Sequence, residues 1–286
     1  MSGKERMKEY EKKLCEMKIP TTKVSGSGKV HIEGIGNIQI SGSGFISPEE
    51  IRISGSGRLP GGLNVGRITC SGSVSIGGNI EAEEIKISGS GSIVGNVRTK
   101  AFSAAGSVSI NGWVKGSVMK VAGSCTIGGA AELTNTLRAH GSLKVLGDVK
   151  AKSLVELHGS FDIDGKVITE NFDAELRRSD SHIKNGIEAV NVSVKKKEVE
   201  GLVIFGFPIL GRIFRSGKLY TTNIKGEEVH LENVSCQDIC GKNVIIGEGC
   251  IIKGKVKYSK FISVNSEANL ANPPEKSKDV HFCPEF

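Results

Sequence analysis

Apolar and polar residues alternate with a period of two along most of the chain, and the whole pattern recurs at a nearly constant interval, as from Ile51 to Ile68 to Ile85. Within Ser73–Ile87, for example, one phase holds Val, Ile and Ala, and the other holds Ser, Asn, Glu and Lys. A period of two is typical of β-strands, whereas helices repeat near 3.6 residues. The pattern therefore predicts an all-β chain of short strands rather than a helical one.

The apolar residues of successive repeats form four columns. The first two are Ile51, Ile68, Ile85, Phe102, Met119, Leu137 and Val155, and Ile53, Cys70, Ile87, Ala104, Val121, Ala139 and Leu157. The other two are Leu59, Val74, Ile93, Val108, Cys125, Leu143 and Phe161, and Ile80, Val97, Val114, Ala131, Val149 and Val167. Three strands of about four residues per repeat would form one turn of a parallel β-helix, with the columns as apolar stacks inside it.

Glycine and serine mark a recurrent corner of the predicted coil. Ser-Gly-Ser-Gly begins at Ser25, Ser41, Ser54 and Ser88, and shorter forms begin at Ser71, Ala105, Ala122, His140 and His158. Glycine adopts the positive φ that sharp bends require. These nine signals predict nine successive rungs.

The repeat also divides the chain. We expect a helix or tail over residues 1–20, the glycine-cornered β-helix over 21–176, and a strand ribbon or insertion over 177–223. A second β-helical segment follows over 224–271, and a flexible tail over 272–286. The N-terminal helix is predicted from an apolar stripe at Met7, Tyr10, Leu14 and Met17.

Composition changes this picture little. Aromatic residues are only 5% of the chain, which suits a thin aliphatic core. The net charge is +7, but Lys and Glu alternate, so we expect no nucleic-acid partner. The charged first residues predict no secretory signal, and the absence of an apolar run of ~20 residues predicts no membrane-spanning helix. Seven cysteines without disulfide-type spacing favour reduced thiols in a cytoplasmic protein.

The Ser-Gly-Ser-Gly rungs, together with Ile224-Lys-Gly-Glu-Glu-Val-His-Leu-Glu-Asn-Val and Val244-Ile-Ile-Gly-Glu-Gly-Cys-Ile-Ile, resemble the bactofilin-like polymer-forming cytoskeletal proteins. The resemblance covers about residues 25–256. It implies a right-handed β-helix, no catalytic site, and self-assembly into filaments or sheets. Members of this group are cytoplasmic scaffolds, some attached to membranes. This chain is longer and more interrupted than the small bactofilins.

The function predicted from these observations is structural and non-catalytic, with the chain itself as partner and with no cofactor or small-molecule substrate. Two alternatives stay open. The segment that begins at Val244 also looks like a rung of hexapeptide-repeat acyltransferases, although the long period here is 17 to 18 rather than six. The other alternative is a soluble β-helix that serves as a binding module.

Two groups of residues are candidate contact sites. Phe205, Phe207, Ile209 and Phe214, beside two arginines, would contact a membrane surface or a partner, or else pack on the coil. Phe261, Ile262 and Val264 lie in the last apolar rung and are the candidate assembly interface, because only a charged, proline-containing tail without a strong helical cap follows that rung.

Other chemistry-bearing residues have simpler interpretations. His140 and His158 share a corner of successive rungs and should stack, but the column offers no third metal ligand. Cys236, Cys240 and Cys250 lack zinc-type spacing and are interpreted as small buried side chains. Asp162 and Asp164 are interpreted as a solvated strand face. The single tryptophan, Trp113, aligns with Asn79 and Asn96 and would be an exposed lateral contact.

Overall fold

The apolar columns of the sequence become the interior of stacked coils in the computed structural model. The structure describes residues 19–197, 203–204, 207–208 and 217–277. These residues form strands and connections and contain no helix, so the all-β prediction is confirmed for them and none of them forms a helix that could span a membrane. The predicted N-terminal helix lies outside the described residues. The chain divides into two units, residues 1–129 and 130–286.

The described part of the first unit consists of strands joined by short connections. They are β1 Thr22–Ile32, β2 Gly36–Ile46, β3 Glu50–Leu59, β4 Leu63–Ile76, β5 Ile80–Ile93, β6 Val97–Ile110 and β7 Val114–Ile127. From β3 to β7 each strand pairs in parallel with the next at a constant offset, so that Ile51 pairs with Ile68 and Ile68 with Ile85. Each strand fills most of a turn, because the ladder continues through the corners instead of breaking into three strands. The unit is thus a parallel β-solenoid, as predicted.

Register confirms three of the four columns and corrects the third. Ile51, Ile68, Ile85, Phe102 and Met119 are paired in sequence and buried. In the third column, however, Val74 pairs with Gly91, and Ile93 pairs with Ile76. The predicted column mixes residues of two real ones, because Gly91 interrupts the apolar residues of one column and Ile93 of the neighbouring column lies two residues further on.

The corner glycines form a stack of their own. Gly55, Gly72, Gly89, Gly106 and Gly123 pair in succession, all with φ between +117° and +146°. A Cβ at any of the last four would overlap the carbonyl oxygen of the glycine one coil earlier. Close backbone approach and positive φ both require glycine here.

The first two strands depart from the predicted rungs. β1 pairs with β2, and β2 with β3, in antiparallel register, with Gly26 opposite Gly42 and Gly42 opposite Gly55. A strand and its connection run from Thr22 to Gly36, and again from Gly36 to Glu50. Both stretches are shorter than a full coil, which runs from Glu50 to its partner Arg67, so the chain reverses instead of winding. The described part of the first unit therefore begins with a meander.

The second unit is also a parallel β-solenoid. Its strands are β8 Ala131–Val145, β9 Val149–Ile163, β10 Val167–Leu176, β11 Ser181–Ile183, β12 Ile187–Lys196, β13 Val203–Ile204, β14 Phe207–Pro208, β15 Leu219–Thr221, β16 Asn223–Leu231, β17 Val234–Cys236, β18 Asp238–Ile246, β19 Ile251–Ile252, β20 Val256–Val264, β21 Asn269–Leu270 and β22 Glu275–Lys276. The long strands pair in the order β8, β9, β10, β12, β16, β18 and β20, all in parallel.

The predicted ribbon over 177–223 is shorter than expected. β11 pairs with β9 and β15, and β12 pairs with β10 and β16, so both belong to the coil. The polar residues 177–180 that suggested a break form a corner of the coil. What separates β12 from β15 is residues 197–218, where β13 and β14 pair in antiparallel. In the predicted flexible tail, β22 pairs with Lys257 and Tyr258 of β20.

Candidate functional site: the last coil of the second unit

Two buried columns of the second unit lead, among the described residues, to apolar side chains that are no longer fully buried. In one, Val192, Val229 and Val244 are paired in succession and buried, and Ile262 follows. The other runs through Val194, Leu231 and Ile246 to Val264. Each earlier member is at most 2% exposed, whereas Ile262 is half-buried and Val264 is 41% exposed. We call Ile262, Val264 and the half-buried Leu270, which pairs with Ile252, the terminal apolar surface.

The backbone of the same coil has an edge without a strand. β20 pairs along most of its length with β18, but on its other side β22 pairs only with Lys257 and Tyr258. Among the described residues, none pairs with Ser259–Val264 on that side. An unpaired strand edge recruits other strands unless it is blocked. The terminal apolar surface therefore lies beside backbone donors and acceptors that no described strand pairs.

Phe261 of the predicted assembly interface occupies a different face. It pairs with Asn243, and the outward column before it holds Asn191 and Glu228. Its side chain is 53% exposed. Ile262 and Val264 thus end the core columns, while Phe261 extends the outer surface.

The predicted membrane or partner contact is largely outside the described residues. Phe205, Ile209 and Phe214 lie there, and Phe207 belongs to β14, whose backbone pairs with Val203 and Ile204. The membrane contact stays a prediction.

His140 and His158 stack as predicted, and the structure places a carboxylate beside them. Their ring centroids lie 4.7 Å apart with the planes 13° from parallel. Glu156 has its Oε1 2.7 Å from Nε2 of His140 and 4.0 Å from Nδ1 of His158. We call these three residues the histidine cluster. The sequence signal that was missed is Glu156 itself, two residues before His158 and so on the same strand face.

The charges around Glu156 favour its ionised form. Partial burial alone would raise the pKa of its carboxyl group, but the His140 hydrogen bond and the charges of Arg138, His158 and His140 outweigh burial and lower the pKa. Nε of Arg138 lies 3.2 Å from the other carboxylate oxygen. Glu156 is therefore a carboxylate near neutral pH, held between two coils.

The described cysteines behave as small buried side chains. Cys70, Cys125, Cys236 and Cys250 are buried, Cys240 is half-buried, and all five are free thiols. Burial raises the pKa of Cys125 and of Cys236 to about 12. Cys125 and Cys236 are therefore poor nucleophiles and poor metal ligands at neutral pH.

The carboxylates Asp162 and Asp164 lie on the outward face, as predicted, and pair with lysines. Asp164 lies 2.5 Å from Lys184, and Asp162 lies 3.9 Å from Lys144. Surface ion pairs with lysine account for both carboxylates.

Trp113 lies on a groove of the first unit. Its backbone N–H donates to Asn96, as that of Asn96 donates to Asn79, so the predicted alignment is confirmed. The ring is half-buried, with Arg98 and Lys115 over it at 5.8 and 5.3 Å. Asn64, which lines the same groove, is 6% exposed, and neither polar atom of its side chain has a hydrogen-bond partner among the residues that the structure describes.

Comparison with known proteins adds no relative: no family model matches the chain, and no curated protein or solved structure does either.

Proposed function

We propose that this chain is a non-catalytic structural protein that self-associates through the last coil of its second unit. The observation that carries the proposal is that buried columns end, uncovered within the described residues, at Ile262 and Val264 beside an unpaired strand edge. A second copy of the chain supplies what this surface lacks, namely β-branched apolar side chains in the same spacing and a strand edge of its own.

The first strand of the first unit presents a less adhesive edge. The central residues of β1 are serine and glycine, whereas β20 ends in Phe261, Ile262 and Val264. Both strands carry two lysines, Lys23 and Lys29 in β1 and Lys257 and Lys260 in β20, so the contrast lies in the apolar side chains rather than in charge. The contrast supports the last coil as the surface through which two copies join. A junction at this surface alone gives tail-to-tail pairs. A second contact elsewhere on the chain would extend such pairs into filaments.

The wider proposal follows the resemblance to bactofilin-like proteins: a right-handed coil, a cytoplasmic scaffold, and no enzymatic activity. Coil lengths support it over a hexapeptide-repeat acyltransferase. Between β16 and β18, Glu228 pairs with Asn243; between β18 and β20, Ile239 pairs with Val256; and between β10 and β12, Asn171 pairs with Asn191. The offset therefore changes from coil to coil, whereas a hexapeptide coil needs a constant multiple of six.

One observation favours a second candidate, a soluble binding module. The unpartnered amide of Asn64 in the Trp113 groove would be satisfied by a polar ligand, since buried polar groups are nearly always paired. This candidate requires no self-association, so the same experiment separates the two.

The test is light scattering of the purified full chain at micromolar concentration, in low and high salt. We expect oligomers that survive high salt, because apolar burial and strand pairing are not screened as surface charges are. Val264→Lys should shift the chain to monomer, and the matched control Ser263→Lys, one residue earlier on the outward face, should not. A strictly monomeric wild-type chain would overturn the proposal and leave the binding module.

A further inference from the structure

The outward face of the second unit brings together side chains from three consecutive coils. Arg138 and His140 of β8 pair with Glu156 and His158 of β9, which pair with Asp173 and Glu175 of β10. The result is a small lattice of imidazole and carboxylate groups. Among the described residues, the histidine cluster is the one group of three such side chains whose ligand atoms all lie within 4.8 Å of one another.

We propose that the histidine cluster binds one divalent transition-metal ion, with His140, Glu156 and His158 as protein ligands. Two imidazoles and a carboxylate are a donor set suited to zinc, copper or nickel and poorly suited to magnesium or calcium.

The ligand atoms can reach such an ion after side-chain rotations. Ligand atoms about 2.0–2.2 Å from a tetrahedral zinc ion lie about 3.3–3.6 Å from each other. Oε1 of Glu156 lies 2.7 Å from Nε2 of His140 and 4.0 Å from Nδ1 of His158, and the three ligand atoms all lie within 4.8 Å of one another. Changes of up to about 1.5 Å in these separations are therefore enough. His140 binds through Nε2 with its remaining proton on Nδ1, so it gives up its hydrogen bond to Glu156.

The site is open to solvent, since the His140 side chain is 53% exposed, so an ion reaches the cluster directly and water can complete its coordination. Nδ1 of His158 is the ring nitrogen 4.0 Å from Glu156, whereas Oδ2 of Asp173 lies 3.8 Å from Nε2 on the other side of the ring. Asp173 can therefore orient the ring from the next coil while Nδ1 binds the ion. Because its ligands come from two coils, the ion would link neighbouring strands of the ladder.

Arg138 is the feature that opposes metal binding and therefore distinguishes this proposal from a purely structural role. It pairs with Glu156 and places a positive charge beside the site. An incoming cation must displace or tolerate it. Replacing Arg138 with a neutral residue removes its ion pair with Glu156 and should strengthen metal binding.

The experiment is a calorimetric titration of the full chain with Zn²⁺ as the only added metal. A second titration with Co²⁺ reports the ligands through its absorption spectrum. We expect one equivalent per chain and a Co²⁺ spectrum of nitrogen and oxygen ligands without thiolate charge transfer, which would separate the site from the cysteines. His158→Ala or Glu156→Gln should weaken binding at least about tenfold, a loss that even outer-shell changes produce. Arg138→Gln should tighten it.

His182→Ala is the matched control, because His182 is also exposed and stacks on Tyr220 at 5.3 Å, away from the cluster. It should bind as the wild type does. The proposal is overturned if the wild type binds Zn²⁺ no more tightly than His140→Ala/His158→Ala, or if the control loses the site. Circular dichroism of each variant excludes loss of fold as the cause.

Discussion

The two units have the same kind of interior, stacked columns of apolar side chains, but they differ in the residues at the corners of the coil and in the offset between paired coils. In the first unit the offset between paired coils stays constant from β3 to β7, and a positive-φ glycine occupies the same corner of each of these coils. In the second, glycine holds that corner at Gly141 and Gly159, and the next coil places Leu176 in the same register position. The buried columns continue nonetheless, so the solenoid depends on the phase of its apolar residues more than on a constant turn.

The outer surfaces differ in the residue that precedes the corner glycine. In the first unit this residue is serine or alanine, as in the pairing of Ser71 with Ser88. In the second unit it is histidine in β8 and β9, where His140 pairs with His158. Ion pairs link neighbouring coils in both units, such as Arg67 with Glu84 in the first and Lys166 with Glu188 in the second. The histidine cluster therefore lies at a glycine corner of the same kind and differs from the others in its side chains.

The largest expected effect concerns what the units share. Ile85→Asp in the first unit and Val155→Asp in the second both place an unpaired carboxylate at a fully buried position. Each should lower the free energy of unfolding by at least about 4 kcal/mol, as measured by urea denaturation. Lys86→Asp, one residue along on the outward face, should change it by under about 0.5 kcal/mol. Equal effects at Ile85 and Lys86 would contradict the phase of the column.

The next effect concerns the corner that distinguishes the units. Gly89→Ala meets the carbonyl oxygen of Gly72 at a φ of +138° and should cost about 2–4 kcal/mol. Gly91→Ala is the control, since its Cβ meets the flexible end of the Ile87 side chain at 3.0 Å. It should cost under about 1 kcal/mol in the same denaturation experiment. A tolerant Gly89 would mean that the glycine stack is not required.

The smallest effect concerns the charged surface of the second unit. Burial alone would raise the pKa of Glu188, but Lys166 at 2.8 Å and Lys225 at 3.5 Å outweigh it and lower the pKa. A lowered folded pKa stabilises the protein above the carboxyl's ordinary value of 4.5, and this contribution is lost as pH falls through the lowered value. Glu188→Gln should therefore cost up to about 1 kcal/mol at pH 7. The cost should vanish in strong acid, and one that did not change with pH would refute the assignment.

The sequence predicted the interior better than the ends. Three of four columns in the first unit are correct, because a period of two with a constant repeat length leaves one register that buries every isoleucine. The antiparallel start was missed because Ser-Gly-Ser-Gly looks the same in either direction. The inclusion of β12 in the coil was missed because its longer offset from β10, as from Asn171 to Asn191, breaks the period.

The candidate site was predicted in part for a similar reason. Alternation places Ile262 and Val264 on the buried phase of the last apolar repeat that the sequence shows. Phe261 was grouped with them although alternation places it outside. The sequence does not single out Glu156 as a partner of the histidines. The residue paired with it on the neighbouring coil is Arg138, which is not a metal ligand, so carboxylates do not recur at this position as histidines do at the next.

Cryo-electron microscopy of the purified full chain at micromolar concentration tests self-association through the last coil most directly. The account predicts assemblies in which the strand spacing of about 4.8 Å continues across each junction, with the end that bears Ile262 and Val264 at the joint. Val264→Lys should abolish these joints and Ser263→Lys should preserve them. A field of single, unjoined particles of the wild-type chain, or assemblies joined through another surface, would contradict it.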